Sequence, residues 1–262
     1  MFSSPQMFGL LIKSGAPLIG LSLMACSVAP QVTPGNTTVP GEVARQIVRE
    51  RLSAVVVTSR DELGSWVNNR FSIADAPGDA DGGSASPITG DGYFLTADHV
   101  LARCEGKNVF IVYGSGGGIV TANARIVWRS RSDDLALLHI PRKTPYFYRW
   151  TPPGQWLSPG HGVIHGGMAT GFRSAPGKLR TALSPEGSFT RNRPFKIDIP
   201  LKPGDSGGPI VDSFGNLLGI NSAVEFIIPL ETAIFIDSEG NRPNTAKIGS
   251  IISRDRQTRS SS

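Results

Sequence analysis

An all-β fold with a few helical pieces is what this 262-residue sequence predicts, on three observations. The 31 glycines and 20 prolines break the chain into short pieces joined by turns. Apolar runs of four or five residues recur between those breaks, a length that suits strands rather than helices. Long amphipathic patterns are hard to find; the best helix candidate runs from Glu42 to Leu52, with Val43, Ile47 and Val48 on one face. At 39% hydrophobic composition the chain can bury a sizeable core, as one large domain or two small ones.

Taken in order, the chain opens with Ala16-Pro17-Leu18-Ile19-Gly20-Leu21-Ser22-Leu23-Met24-Ala25, an apolar stretch after a weakly basic start at Lys13. It has signal-peptide length and is too short to span a bilayer. Its end, Leu23-Met24-Ala25-Cys26, resembles the bacterial lipobox, which makes residues 1–25 a lipoprotein-type signal peptide and Cys26 the lipidated first residue of the mature protein. An ordinary secretory signal with an incidental cysteine is the alternative, and a Cys26–Cys104 disulfide would exclude lipidation. Residues 26–41, rich in Pro, Thr and Gly, read as a flexible tether. Strands are expected at Val55–Thr58, Val109–Tyr113, Arg125–Trp128, Lys196–Ile199 and Pro209–Asp212. Residues 75–86 read as a polar loop, and 253–262 as a disordered tail, of which 256–262 lies beyond the folded domain.

The chemistry concentrates in Gly204-Asp205-Ser206-Gly207-Gly208-Pro209. Ser206 is the candidate nucleophile, and Gly204 lets the backbone turn so that its own N–H and that of Ser206 aim at one oxyanion. The same string also suits a plain Gly-rich turn before a strand. A serine hydroxyl needs a base, and the base needs a carboxylate. His99 follows the apolar run Tyr93-Phe94-Leu95-Thr96-Ala97, and Asp134 stands directly before Leu135-Ala136-Leu137-Leu138. Asp133 is the rival acid, which a period-two strand would point the other way.

These residues resemble the trypsin-like (chymotrypsin-fold) serine proteases. Thr96-Ala97-Asp98-His99, Asp134-Leu135-Ala136-Leu137-Leu138 and Gly204 to Pro209 look like that family's three motifs, in order, 35 and 72 residues apart. The Leu218 to Val224 stretch is closest in flavour to the bacterial HtrA-like branch. The resemblance implies two six-stranded antiparallel β-barrels, about 42–148 and 149–255 within a 42–255 domain, with the site between them. It implies His99 as base, Asp134 as its orienter, Ser206 as nucleophile, and Gly204 and Ser206 as the oxyanion hole. Position by position it makes Pro200 the floor of the specificity pocket and Ser222, Ala223 and Val224 its wall, shallow and apolar, suited to small aliphatic residues. Asp98 stands where the family has Ala or Asn; it either faces solvent or raises the histidine pKa. Asp205 is the residue that trypsin-like enzymes pair with a freed N-terminal amine. An acylated Cys26 cannot supply one, so backbone N–H groups or a basic side chain are expected to satisfy it. HtrA-type proteins append a peptide-binding PDZ domain, for which the 38 residues after Val224 are too few.

The net charge of +5, or +4 once Lys13 is removed, is too modest to imply nucleic acid. Arg125, Arg129, Arg131, Arg142, Lys143, Arg149, Arg191, Arg193 and Lys196 read as a solvated face. Cys104 reads as a buried, inert thiol. No phosphate loop or metal-ligand spacing is present, His161 and His165 read as structural, and no cofactor is expected. The expected activity is an exported serine endopeptidase acting on protein or peptide substrates, lipid-anchored in the bacterial envelope, on the periplasmic side of the outer membrane if the cell is Gram-negative. A silent protease-like binding or chaperone module and a short-chain esterase are the alternatives.

Overall fold

The computed structural model describes residues 41–64, 78–115, 118–152, 155–171, 174–183, 193–227 and 234–261. The expected signal peptide, Cys26, Arg191 and nearly all of the tether lie outside the described residues.

Helix α1 (Glu42–Glu50) buries Ala44 and Val48, while Val43 is 69% exposed, so the inward face is Ala44–Val48 rather than the expected one through Val43. Seven strands follow: β1 (Ser53–Thr58), β2 (Asp81–Pro87), β3 (Tyr93–Thr96), β4 (Asn108–Ser115), β5 (Gly118–Asn123), β6 (Arg125–Ser130) and β7 (Leu135–His139). They form one antiparallel sheet in the order β5-β4-β1-β2-β3-β7-β6. Its two edges, β5 and β6, are a single run of chain interrupted by Ala124. The first half of that run pairs with β4, the second with β7, and Ala124 N–H donates to the Val109 carbonyl at the corner. One bent stave therefore closes the sheet on itself, and seven strands make a six-stave barrel. Alternation decides what fills it: Val55 and Val57 face inward with Phe94, Ile111 and Leu138, while Ala54 and Val56 pack outward with Leu63 and Phe110.

The second barrel comprises β8 (Gly162–His165), β9 (Ala175–Lys178), β10 (Arg193–Ile197), β11 (Pro209–Asp212), β12 (Leu217–Ile227) and β13 (Ile234–Arg242), in the order β10-β13-β12-β11-β8-β9. Its edges meet where Leu179 bridges Ile197, Arg180 N–H donates to Lys196 and Asp198 N–H donates to Lys178. Val163, Phe195, Ile197, Ile210 and Leu218 fill its interior. This is the expected all-β, two-barrel architecture with a few helical pieces.

Two expectations fail. Residues 81–86 are not loop but strand β2, in the middle of the first sheet; its Gly and Ser residues carry no apolar signal because the neighbours they pack against leave no room for large side chains. The tail is not disordered: helix α2 (Thr245–Ser260) begins at Asn244, whose side chain accepts the Lys247 N–H, and buries Ile248, Ile251 and Ile252 on one stripe. The charges of Asp255, Arg256 and Arg259, which suggest a solvated tail, are paired. Asp255 takes the Arg125 guanidinium and the Tyr93 hydroxyl, Arg256 forks onto Asp91, and Arg259 donates to the Tyr93 hydroxyl.

The helices also cross the expected partition at residue 148. Helix α1 precedes the first barrel in sequence yet packs on β8 and β11 of the second, and α2 follows the second barrel yet reaches Tyr93 and Arg125 of the first. One apolar cluster joins Ala44 and Val48, Leu95 and Leu137, Ile164 and Ile220, and the α2 isoleucines. The two barrels thus share a core between them, with a helix at each end of the folded chain built into it.

Candidate active site

The first barrel supplies a base and a carboxylate from the ends of two neighbouring strands. Strand β3 ends at Thr96, opposite Ala136 of β7. A 3₁₀ turn, Asp98–Leu101, follows β3; it turns Val100 and Leu101 inward and leaves His99 exposed. Asp134 occupies the turn just before β7 with φ 45°, a left-handed backbone uncommon outside glycine. Both Asp134 oxygens lie at 2.9 and 3.0 Å from His99 Nδ1, and one also accepts the His99 backbone N–H at 2.9 Å. The Ser222 hydroxyl donates to the other. The hydrogen bond to Asp134 raises the His99 pKa above its ordinary 6.5, against the opposing effect of burial. Burial pushes the Asp134 carboxyl up, but its hydrogen bonds from His99 and Ser222 outweigh that and leave it below the usual range. With the Nδ1–H donated to Asp134, the lone pair sits on Nε2 of a ring that lines the cleft.

The second barrel supplies the serine. Gly204 and Gly207 adopt φ 101° and 85° in the turn before β11. A Cβ on Gly207 would stand 2.2 Å from the Ser84 carbonyl and 2.3 Å from Thr96 Oγ1, so only glycine fits there. Among the described residues no acceptor meets the N–H of Gly204 or of Ser206, whereas the N–H groups of Asp205, Gly207 and Gly208 are all engaged. The two unengaged donors are those an oxyanion would need. Ser206 Oγ donates to the Ser222 carbonyl at 3.4 Å and makes no hydrogen bond with His99. His99, Ser206 and Gly204 nonetheless line one cleft of about 420 Å³, with Asp81, Gly82, Arg103 and Pro203.

Other expected residues fall differently. Asp133 accepts from Ser130 and plays no part at His99. Asp98 does not face solvent: it is 4% exposed and takes a two-pronged ion pair from Arg129, at 2.6 and 3.1 Å, whose guanidinium also reaches Cys104. Its charge is the smallest of the causes that raise the His99 pKa. Arg129 is therefore a structural cation rather than part of a solvated face, while Arg125, half exposed on β6, pairs with Asp255 of α2. In the segment before Ser206, Pro200 is exposed and Leu201 is the buried residue, its N–H held by Ser238. Ser222 is buried, Ala223 is exposed, and the Val224 side chain lies outside the described residues.

Residues 83–220, more than half of the chain, match the family model described as the trypsin-like peptidase domain, and that match contains His99, Asp134 and Ser206. The chain belongs to the trypsin-like peptidase family. It is 29% identical over 184 residues to a protein of Pseudomonas fluorescens described as "probable periplasmic serine endoprotease DegP-like", covering 66% of this chain and 36% of that one. It is 30% identical over 143 residues to the "serine protease Do-like HtrA" of Lactobacillus helveticus, covering 51% and 32%. The chain thus spans about a third of the length of these curated relatives. A solved HtrA-type protease, AlgW with a decapeptide, shares the fold at a TM-score of 0.57 and 20% identity, covering 81% of this chain and 66% of that one.

Sequence reasoning missed how this trypsin-like chain fastens its serine loop. Ser84 N–H donates to the Ser206 carbonyl at 2.8 Å, the Ser84 hydroxyl donates to Gly204 at 2.7 Å while accepting the Met168 N–H, and the Ser86 hydroxyl donates to Gly207. The signal was the period-two pair Ser84 and Ser86 within Gly82-Gly83-Ser84-Ala85-Ser86-Pro87, which composition alone disguises as a loop. Asp205 is satisfied by backbone N–H groups, as one of the two expectations has it. Thr170 and Lys202 supply them, and the Thr170 hydroxyl adds a third donor.

Proposed function

We propose that this protein is an exported serine endopeptidase in which His99, Asp134 and Ser206 are the catalytic triad. The observation that carries the reading is the His99–Asp134 pair, gripped at Nδ1 and at the backbone N–H, in the same cleft as a serine whose own N–H, like that of Gly204, is unengaged. Ser206 Oγ turns from Ser222 toward His99 by rotation about its own Cα–Cβ bond and attacks the scissile carbonyl as its proton passes to Nε2. Asp134 holds the imidazolium, and the N–H groups of Gly204 and Ser206 receive the oxyanion. Collapse of the tetrahedral intermediate breaks the C–N bond, the amine leaves with the proton from His99, and water then hydrolyses the Ser206 ester by the same steps. The resemblance assigns the specificity pocket to Pro200, Ser222, Ala223 and Val224, and small aliphatic residues, Val, Ala or Leu, are expected before the cut. A peptide library cleaved preferentially after Arg or Glu refutes that specificity.

Export and anchoring through a diacylglyceryl group on Cys26 belong to the same proposal, supported by the Leu23-Met24-Ala25-Cys26 string and by the periplasmic description of the Pseudomonas relative. Membrane release of Cys26→Ser, read beside the mass of the mature N-terminus, tests it. The Ser206–Ser222 hydrogen bond favours one rival, a silent binding module whose serine stays turned away. A fluorescent fluorophosphonate on the full-length protein in detergent decides: the wild type labels and Ser206→Ala does not, whereas a folded wild type that never labels is the silent module.

A further inference from the structure

We propose that Thr170 is a positioning residue for the nucleophile loop, a neutral latch that sets the loop without any cleavage of the chain; the inference rests on the peptidase reading above. Asp205, next to Ser206, is fully buried, and among the described residues no cationic side chain pairs with it. A carboxylate so placed destabilises the fold unless hydrogen bonds replace its water. Three donors do so: Thr170 N–H to Oδ1 at 2.8 Å, and the Thr170 hydroxyl and Lys202 N–H to Oδ2 at 2.8 and 3.0 Å. Two of the three come from one residue.

The direction of the Thr170 hydroxyl is fixed by what lies behind it. Having given its proton to Asp205, the oxygen accepts from His165 Nε2 at 3.1 Å, which leaves His165 Nδ1 to accept from Asn221 Nδ2 at 3.1 Å. Asn221 Nδ2 also reaches the carbonyls of Gly166 and Asp205. Donation therefore runs one way, from Asn221 through His165 and Thr170 to Asp205. Burial pushes the His165 pKa down, so the ring stays neutral and can both accept and donate. The turn after β8 that carries Thr170 is pressed against the loop. A Cβ on Gly167 would lie 2.3 Å from Asp205 Oδ1, and one on Gly208 would lie 2.2 Å from the Gly166 carbonyl. Among the described residues, the hydrogen bonds to the Asp205 carboxylate thus come from residues of the second barrel, and with the Ser84 and Ser86 bonds from β2 they set the serine loop with no freed amine.

The test compares the full-length wild type, Thr170→Val and Thr170→Ser by the rate of fluorophosphonate acylation, by kcat and KM on a cleaved peptide, and by thermal unfolding. Thr170→Val keeps the shape and the N–H bond but loses the hydroxyl. It is expected to acylate about a hundredfold more slowly, the scale of one lost oxyanion donor, with kcat reduced and KM little changed. Thr170→Ser, which keeps the hydroxyl, is expected to restore the rate. A folded Thr170→Val that acylates at the wild-type rate overturns the proposal. Should that variant not fold, the intact mass of labelled wild type decides: label on chains uncut after signal removal supports the latch, and label confined to chains cut within residues 41–53 overturns it. A wild type that does not label at all overturns the peptidase reading, and the latch with it.

Discussion

The cleft and the face that carries α2 are both held by carboxylates, in opposite ways. Asp205 and Asp98 lie buried behind the cleft and Asp134 half-buried within it, and they take their partners from backbone, hydroxyl, imidazole and one guanidinium. On the α2 face Asp91 and Asp255 meet arginines that are half exposed, with Tyr93 lying between the Arg256 and Arg259 guanidiniums at 5.5 and 5.6 Å from its ring centroid. Position in a dry setting makes Asp205 and Asp98 hard to replace, because each lost partner strands a group that water cannot reach. On the second face water substitutes for a lost partner, so the network orients the helix while the buried isoleucines hold it.

The largest expected effect is at Asp134. Asp134→Asn is expected to lower kcat/KM by about four orders of magnitude, since the amide presents the wrong hydrogen-bond polarity to Nδ1. The pH profile gives an independent reading. His99 acts as a base only when neutral, and its pKa is raised, so wild-type activity grows as pH climbs through a value above 6.5. Residual activity of Asp134→Asn should show that limb displaced to lower pH; an undisplaced limb would mean Asp134 is not what tunes the histidine. The same pair contributes stability that is complete below the unfolded histidine pKa and is lost as pH rises through the folded one.

Next in size is Arg129. Arg129→Ala leaves Asp98 buried without its cation and should cost about 3 kcal/mol in urea unfolding, whereas Asp98→Ala with Arg129→Met in one protein should recover most of that. A double variant no better than the single would show that packing of the arginine, not stranded charge, is at stake. The smallest effect belongs to Arg256→Ala. Its guanidinium, foremost through its hydrogen bonds, holds the Asp91 carboxyl at about 2, yet both side chains are near half exposed. The loss should stay below about 1 kcal/mol. A larger loss would place this face with the cleft and dissolve the distinction.

Much of the cleft was legible because its chemistry is written in short, contiguous strings. Thr96 to His99, Asp134 to Leu138 and Gly204 to Pro209 each carry a residue type and a backbone requirement in one place, and strands such as Val55–Thr58 announce themselves by β-branched runs. What supports those strings is written across distance. Ser84 reads as loop because a strand whose neighbours press on it needs small residues, the composition of a turn. Asp98 and Arg129 are 31 residues apart and join because β6 and β7 are paired and β7 is paired with β3. Helix α2 looked unstructured because its charges outnumber its three buried isoleucines, and the partners of those charges, Asp91, Tyr93 and Arg125, lie far upstream. Thr170 was silent since one threonine in Met168-Ala169-Thr170-Gly171 carries no pattern at all.

Helix α2 has a bearing on how the chain comes to be folded. Its isoleucines complete the cluster that includes Leu95 and Leu137, and its arginines cap Tyr93 on β3, so the strands that present His99 and Asp134 are finished by residues 245–260. A chain that lacks residues 245–260 leaves that shared cluster open, with Leu95 and Leu137 short of their apolar cover, although the first barrel's own interior is complete without them.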